Sequence, residues 1–162
     1  MNQKPIIGIT MGDPAGNGPE ITVKALAHAE LYGRCRPIVV GDAKMIEQAA
    51  GFVGRPDMRV HRCQKVADAQ FTPGVIDVLH LDLIRDPARF AIGQVSIEGG
   101  NAAFQCVRKV IELAMAGEVD ATCTNALNKE EMCIRDSKRT AGWKSPANRS
   151  SPESGWLFRR GK

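Results

Sequence analysis

Two polar segments of the chain carry residue types that could bind a charged small molecule, and the first is Thr10–Glu20. An apolar run ends there, glycines allow tight turns, and a helical pattern begins, so backbone N–H groups at the helix start could hold phosphate or carboxylate. Asp13 adds a carboxylate where an open α/β sheet binds its ligands. The spacing is neither a Walker loop nor a GxGxxG fingerprint. The alternative, a capped turn with purely structural glycines, therefore stays open.

The second polar segment follows a short apolar run near residue 120. Lys129 could bind a phosphate or carboxylate, or it could cap the end of a sheet, and the sequence leaves both readings open. Thr124 and Asn128 are polar neighbours in the same cluster. With Gly12 and Asp13 of the first segment, these three residues are the candidates for a substrate cleft.

These candidates need a scaffold, and the hydrophobic periodicity predicts one. Strands are expected over 5–10, 37–40, 58–62, 74–81 and 119–124, and helices over 18–31, 43–52 and 96–116, with an irregular connection over 82–92. Gly18 is the expected N-cap of the first helix, with Pro19 at its first position. Asp42 should cap the second helix and Gly117 should end the third. The alternation of strands and helices predicts an α/β fold with parallel strand pairing.

The helical patterns also predict which side chains are buried. In the second helix these are Met45, Ile46, Ala49 and Ala50. In the long helix, positions recur at spacings of three and four, which predicts an apolar face. Its members are Ala103, Val107, Val110, Ile111, Ala114 and Met115.

The cysteines and histidines show no metal-binding pattern. None of the five cysteines forms a CxxC motif, and no nearby Cys/His pair resembles a zinc site. We expect reduced and mostly buried thiols, with Cys106 and Cys123 inside apolar segments. We expect structural or solvated roles for His28, His61 and His80, and no metal site.

The charge of the chain is unevenly distributed. The net charge is +4, but residues 132–162 hold eight Lys or Arg against two Asp or Glu, so residues 1–131 are slightly acidic. Residues 132–162 also lose the helical and strand periodicity and contain both tryptophans. This predicts two parts, an α/β portion over 1–131 and a basic, disordered or irregular tail over 132–162 of non-native origin.

Targeting features are missing from the sequence. No apolar run reaches the length of about 18 residues that a membrane helix needs, and the amino terminus lacks the pattern of a signal peptide. We therefore expect a cytoplasmic protein without a membrane partner.

Three stretches of the chain together resemble the 4-hydroxythreonine-4-phosphate dehydrogenase family, which includes dehydrogenases of D-threonate and D-erythronate 4-phosphate. They are Ile9–Ile21, which contains Gly-Asp-Pro-Ala-Gly, then Gly93–Ser96 (Gly-Gln-Val-Ser), and Thr124–Glu130 (Thr-Asn-Ala-Leu-Asn-Lys-Glu). The resemblance covers residues 5–130 in the family's order and spacing. Asn17 stands where isoleucine is usual, and Asn125-Ala126 where Ala-Pro or Gly-Pro is common.

The resemblance implies an α/β fold like that of isocitrate and isopropylmalate dehydrogenases, in a homodimer, of which this chain would hold the amino-terminal portion only. It implies NAD-dependent oxidation of a phosphorylated four-carbon hydroxy acid, followed by decarboxylation, with a divalent metal polarising the developing carbonyl. The family's Gly-His-Thr-Glu motif and its three metal-ligating histidines have no counterpart here. We therefore expect this chain to be inactive alone and poorly soluble, with unpaired sheet edges.

Two alternatives remain open from the sequence. A phosphate acyltransferase would share a related α/β architecture, although the Gly-Asp-Pro-Ala-Gly loop argues against it. A non-enzymatic binding module could use the basic tail, where Trp143 and Trp156 lie among cations, to contact nucleic acid. Out-of-frame sequence would have the same composition, so we expect no nucleic-acid partner.

Overall fold

The fold is a parallel sheet of five strands with helices on both faces, seen in a computed structural model that describes residues 4–87, 90–131 and 133. The strands are β1 (Ile6–Thr10), β2 (Arg36–Gly41), β3 (Arg59–Cys63), β4 (Val75–His80) and β5 (Ala121–Cys123). The helices are α1 (Gly18–Leu26), α2 (Leu31–Arg34), α3 (Ala43–Phe52) and α4 (Ile97–Met115), with a 3-10 turn at Val66–Asp68.

The strand order places the first and last strands side by side. The order is β3-β4-β2-β1-β5, and every pairing is parallel. Gly8 of β1 lies between Ile38 of β2 and Thr122 of β5. All carboxyl ends therefore meet at one edge of the sheet, where a parallel α/β sheet binds its ligands. The prediction of an α/β fold with parallel pairing is confirmed.

Successive residues of β2 point to opposite faces of the sheet and join two separate clusters of buried side chains. Val39 packs with residues of α1 and α3, such as Val23 and Ile46. Ile38 and Val40 pack on the other face, with Val110 and Leu113 of α4. Both faces of the sheet are thus covered in its middle, which accounts for the continuous apolar run of β2.

At Gly8, α4 packs directly against the backbone of β1. A Cβ on this residue would lie 2.7 Å from Cγ2 of Val110. A glycine inside a strand lets a neighbouring element pack against the backbone. It sets the distance of α4 from β1.

The predicted capping residues Asp42 and Gly117 lie at the ends of α3 and α4, and Ser96 is a further cap that was not predicted. The Asp42 carboxylate accepts from the Lys44 N–H at 3.0 Å and caps α3. Ser96 Oγ accepts from the Gly99 N–H at 2.9 Å and caps α4. At the other end, Gly117 has φ +72, and its N–H and that of Glu118 bond to carbonyls of α4. This is a Schellman motif, and the predicted end of the long helix is confirmed.

The first helix differs from its prediction at both ends. Its N-cap is Asn17, so Gly18 and Pro19 are the first two helical residues rather than the cap and the first position. It ends at Leu26, and the chain turns before α2 instead of continuing to residue 31. That turn brings the Tyr32 hydroxyl to the Val75 carbonyl at 2.9 Å, a contact that a continuous helix would change.

Burial in α3 confirms its predicted core face, whereas burial in α4 corrects part of the other prediction. Ala103 and Val110 are buried as expected, but Ile111 and Met115 are 54% and 85% exposed, and Ala114 is exposed as well. The buried stripe instead includes Gly99, Ala102, Cys106 and Leu113. Of the two cysteines expected in the core, Cys106 is buried and Cys123 is exposed.

None of the helices in the described part combines the length and apolar character that crossing a bilayer requires. The predicted tail over 132–162 lies outside the described residues, apart from the exposed Cys133. Its predicted character stays a prediction.

Candidate functional site

Three segments that the sequence singled out converge at the carboxyl edge of the sheet. The Asp13 N–H donates to the Ala126 carbonyl at 2.9 Å, which joins the loop after β1 to the segment after β5. The Gly93 N–H donates to the Ala15 carbonyl at 2.7 Å, which joins the turn before α4 to the same loop. Segments far apart in the chain thus form one continuous surface.

Gly12 makes the crossing of the first two segments possible. Its φ is +80, and a Cβ there would lie 2.6 Å from the Ala126 carbonyl oxygen. Both the backbone conformation and the close approach require glycine. Gly12 therefore shapes the cleft through its backbone.

Asn125 ties the end of β5 to α1, a role that the sequence analysis did not assign. Its backbone N–H donates to Thr10 Oγ1 at 2.9 Å. Its side-chain amide donates to the Gly18 carbonyl and to Thr22 Oγ1, both at 2.8 Å. The departure from the family's alanine at this point was the available signal, because alanine has no side-chain amide to donate to Gly18 and Thr22.

A pair of carboxyl groups, Asp13 and Glu131, forms the inner wall of this region. Asp13 Oδ1 accepts from the Ala15 N–H at 2.8 Å, and Glu131 Oε1 accepts from the Ser96 N–H at 2.8 Å. Burial raises the pKa of Glu131 to about 7, and the neighbouring Asp13 charge acts in the same direction. Glu131 can therefore carry a proton near neutral pH.

Glu131 fits into this wall because the first turn of α4 contains two glycines. A Cβ at Gly100 would lie 2.4 Å from the Glu131 carbonyl oxygen, and one at Gly99 would lie 3.0 Å from Glu131 Oε1. Sequence reasoning did not identify Glu131, which adjoins the point where the family pattern ends. The paired glycines opposite it were the only local signal.

The cleft itself is open to solvent. Asn128 caps the turn that follows β5, with its Oδ1 accepting from the Glu130 N–H at 3.0 Å. That leaves the exposed Lys129 as the cation of the cleft, opposite Asp13. The lining residues are Asp13, Gly16, Asn17, Ala126, Leu127, Asn128 and Lys129.

Three of the five predicted cleft residues are therefore in the lining, namely Asp13, Asn128 and Lys129. Gly12 lies behind them, against Ala126. Thr124 is exposed after the end of β5 and is outside the lining. Whether any of them contacts a substrate stays a prediction.

The cleft does not present the histidines that the family uses to bind its divalent metal. His28 is exposed beyond α1, and His61 belongs to β3. His80 ends β4, where its Nδ1 accepts from the Ala43 N–H at 3.1 Å and supports the start of α3. The lining residues offer one carboxylate, Asp13, and no imidazole. They do not fit the family's metal.

The chain is a parallel α/β protein with a cleft for a small ligand at the carboxyl edge of its sheet. A glycine-rich loop and a lysine-containing segment form this cleft. The family model described as "Pyridoxal phosphate biosynthetic protein PdxA" matches residues 33–142. The chain belongs to this PdxA family.

Individual relatives agree with this assignment over the same part of the chain. A Clostridium botulinum protein with the name "Putative D-threonate 4-phosphate dehydrogenase" is 46% identical over 132 residues, which are 82% of this chain and 39% of that protein. A solved 4-hydroxythreonine-4-phosphate dehydrogenase from Burkholderia phymatum is 46% identical, with a TM-score of 0.77 over 82% of this chain and 39% of that chain. One from Klebsiella pneumoniae is 36% identical, with a TM-score of 0.75, over 82% of this chain and 40% of that chain. The chain thus spans about two fifths of the length of these relatives.

Proposed function

We propose that residues 1–131 form the amino-terminal wall of the substrate cleft of a dehydrogenase that oxidises a phosphorylated four-carbon hydroxy acid. The observation that carries this proposal is the convergence of three family segments on one cleft, joined by the bonds from Asp13 to Ala126 and from Gly93 to Ala15. The substrate class rests on the names of the similar proteins, which specify D-threonate 4-phosphate and 4-hydroxythreonine-4-phosphate.

The described residues suit the binding of an anionic substrate. The Lys129 ammonium lies in a cleft whose opposite side is the start of α1. A cation and the positive end of a helix both stabilise a phosphate or carboxylate. Asn128 uses its Oδ1 as a cap, so its amide N–H groups remain available to a ligand oxygen. Asp13 would accept a hydrogen bond from a substrate hydroxyl.

The complete reaction would need groups that these residues do not hold. By the family resemblance, the whole enzyme would need NAD as hydride acceptor and a divalent metal to polarise the developing carbonyl. Because the cleft has no imidazole ligand, we expect the 162-residue chain to have no dehydrogenase turnover by itself. From the family resemblance, we also propose a homodimer and a cytoplasmic location for the whole protein. The acyltransferase alternative has no supporting observation, and the tail of the binding-module alternative lies outside the described residues, apart from Cys133.

A binding experiment tests the role of the cleft. Isothermal titration calorimetry should show that the purified chain binds 4-phospho-D-threonate more tightly than D-threonate, which lacks the phosphate. Lys129→Met should weaken binding by roughly tenfold, because one charge-assisted contact is worth about 1.4 kcal/mol. Lys109→Met, an equally conservative change on α4 away from the cleft, should leave it unchanged. If the two variants bind 4-phospho-D-threonate equally well, Lys129 does not bind the ligand, and the alternative that it caps the end of the sheet is favoured.

A steady-state assay tests the activity of the chain. The purified protein, NAD and a divalent metal are combined with 4-phospho-D-threonate or 4-phosphohydroxy-L-threonine. We expect no NADH production above background. Turnover by this chain would contradict the proposal that it lacks the metal-binding half of the site, whereas loss of ligand binding would contradict the cleft itself.

A further inference from the structure

Three side chains with metal-binding atoms meet on the edge strand β3 and its neighbour β4. His61 of β3 pairs in register with Asp77 of β4. Cys63, two residues beyond His61, points to the same face of the sheet. His61 Nδ1 lies 2.8 Å from Asp77 Oδ1 and 3.5 Å from Cys63 Sγ, and Cys63 Sγ lies 3.9 Å from Asp77 Oδ1. The sequence analysis expected no metal site, because it considered Cys/His spacing within one segment and not a carboxylate from the next strand.

The chemistry and spacing of these atoms suit zinc. Imidazole nitrogen, thiolate sulfur and carboxylate oxygen are the three kinds of ligand that Zn²⁺ takes from proteins. Tetrahedral bonds of about 2.0 Å to N or O and about 2.3 Å to S place two ligands about 3.3–3.6 Å apart. These separations bracket this range. Binding requires the His61 and Asp77 atoms to separate by about 0.5 Å and Cys63 Sγ to approach Asp77 Oδ1 by about 0.3 Å.

The backbone already orients the carboxylate. Asp77 Oδ1 accepts from the Gln70 N–H at 3.0 Å, and Oδ2 accepts from the Phe71 N–H at 2.7 Å. Such outer contacts fix the direction of a ligand before a metal binds. Asp77 and Cys63 are buried, whereas the His61 side chain is 28% exposed and gives the cluster a way to solvent. Water could therefore supply a fourth ligand.

A purely structural role explains only part of this arrangement. Asp77 alone is sufficient to hold the loop at Gln70 and Phe71. The loop contacts do not require an imidazole and a thiol at the same carboxylate. A metal uses all three groups, and it would fix β3 and the following loop to β4.

We propose that His61, Cys63 and Asp77 bind one Zn²⁺ ion, at a site separate from the substrate cleft. Binding forms bonds from Nδ1, Sγ and a carboxylate oxygen to the metal. The imidazole proton moves to Nε2, and the thiol proton leaves to solvent. The ion stabilises the edge of the sheet and takes no part in substrate oxidation.

Metal titration of the full 162-residue chain tests the proposal. After removal of bound metals with a chelator, titration with Zn²⁺ alone should give one ion per chain. Co²⁺ in its place should show a near-ultraviolet absorption band from the bond between sulfur and cobalt. Cys63→Ala and His61→Ala should each weaken Zn²⁺ binding by at least about tenfold. Cys123→Ala and His28→Ala, which change the same residue types elsewhere, should not.

The proposal is overturned if Co²⁺ binds without the sulfur band, if no ion binds, or if Cys63→Ala binds Zn²⁺ as the unaltered chain does. Far-ultraviolet circular dichroism shows whether each variant keeps its fold. If Cys63→Ala does not fold, alkylation of the unaltered chain decides, with peptide mass spectrometry as the readout. Zn²⁺ should slow alkylation of Cys63 at least about tenfold and leave Cys123 unaffected. Equal slowing at both, or none at Cys63, contradicts the proposal.

Discussion

Asn125 holds two parts of the cleft together with a single side-chain amide. It donates to the Gly18 carbonyl and to Thr22 Oγ1. Asn125→Ala should lower the free energy of unfolding by about 1–2 kcal/mol, because partly buried acceptors lose their donor. Urea unfolding followed by circular dichroism measures this. Gln94→Ala, at an exposed position, is the control, and a loss of equal size there would remove the special role of Asn125.

Glu131 should give the fold a dependence on pH. Its pKa is about 7 in the folded chain, against an ordinary value of 4.5. Between these values the folded state binds more protons, so the free energy of unfolding falls as the pH rises from about 4.5 to about 7. The stabilisation that this carboxyl provides at low pH is therefore lost as the pH approaches about 7.

Glu131→Gln should flatten this dependence, because the amide cannot ionise. The measurement is urea unfolding of the purified chain at about pH 5 and about pH 7.5. The exposed neighbour supplies a matched control, Glu130→Gln, which should keep the slope of the unaltered chain. A slope that survives in Glu131→Gln would assign the pH dependence to another group.

The sequence allowed Asp13, Asn128 and Lys129 to be placed in one cleft, because they follow strands whose carboxyl ends share a sheet edge. It did not reveal Asn125 or Glu131. Their roles depend on contacts with Thr22 and Ser96, which are distant in the chain and reach them only after folding. The cluster at His61 was missed for the same reason.

At the scale of elements, replacing glycine by alanine should have opposite effects on stability at the ends of α3 and α4. Gly117 has φ +72, and a Cβ there would meet no atom within 4 Å, so the cost of Gly117→Ala lies in the backbone alone. We expect a loss of about 1 kcal/mol. Gly51 lies in the last turn of α3, also with free space around it and without a positive φ. Gly51→Ala should stabilise the chain by about 0.4–1 kcal/mol.

Thermal unfolding of the two variants beside the unaltered chain measures both changes. A stabilising Gly117→Ala would contradict the Schellman motif as the reason for glycine at that end. Loss of stability in Gly51→Ala would indicate a contact that α3 makes elsewhere.

The bounds of α3 and α4 followed from local patterns, whereas the ends of α1 and the buried side of α4 did not. Capping by Asp42 and Ser96 and the end at Gly117 depend on residues next to each other in the chain. The apolar side chains form an arc around α4, and this arc is wider than the part of the helix that the sheet covers. Gly8 of β1 determines which part of that arc approaches the sheet, and helical periodicity contains no information about that contact.

At the scale of the molecule, α4 carries exposed apolar side chains, and β5 leaves one edge of the sheet without a neighbour among the described strands. Ile111 and Met115 of α4 are 54% and 85% exposed, and β5 pairs only with β1 among the described strands. Exposed edges and apolar surface favour association between chains. We expect the purified chain to self-associate as its concentration increases.

Sedimentation velocity measures this association. The double variant Ile111→Lys with Met115→Lys should reduce it by placing like charges on the exposed side of α4. Phe52→Lys removes an apolar side chain that is 61% exposed on α3, and it should have a smaller effect. If the unaltered chain is a monomer at all concentrations and unfolds in one cooperative thermal transition, the expected self-association is contradicted.

The strand order also has a consequence for synthesis on the ribosome. The bond from Asn125 to Thr10 connects positions 115 residues apart, because β5 lies beside β1. The four strands β1 to β4 can pair while the rest of the chain is still being translated. The cleft cannot form until the segment after β5 has emerged from the exit tunnel. A nascent chain can therefore have four strands of its sheet before it has its binding site.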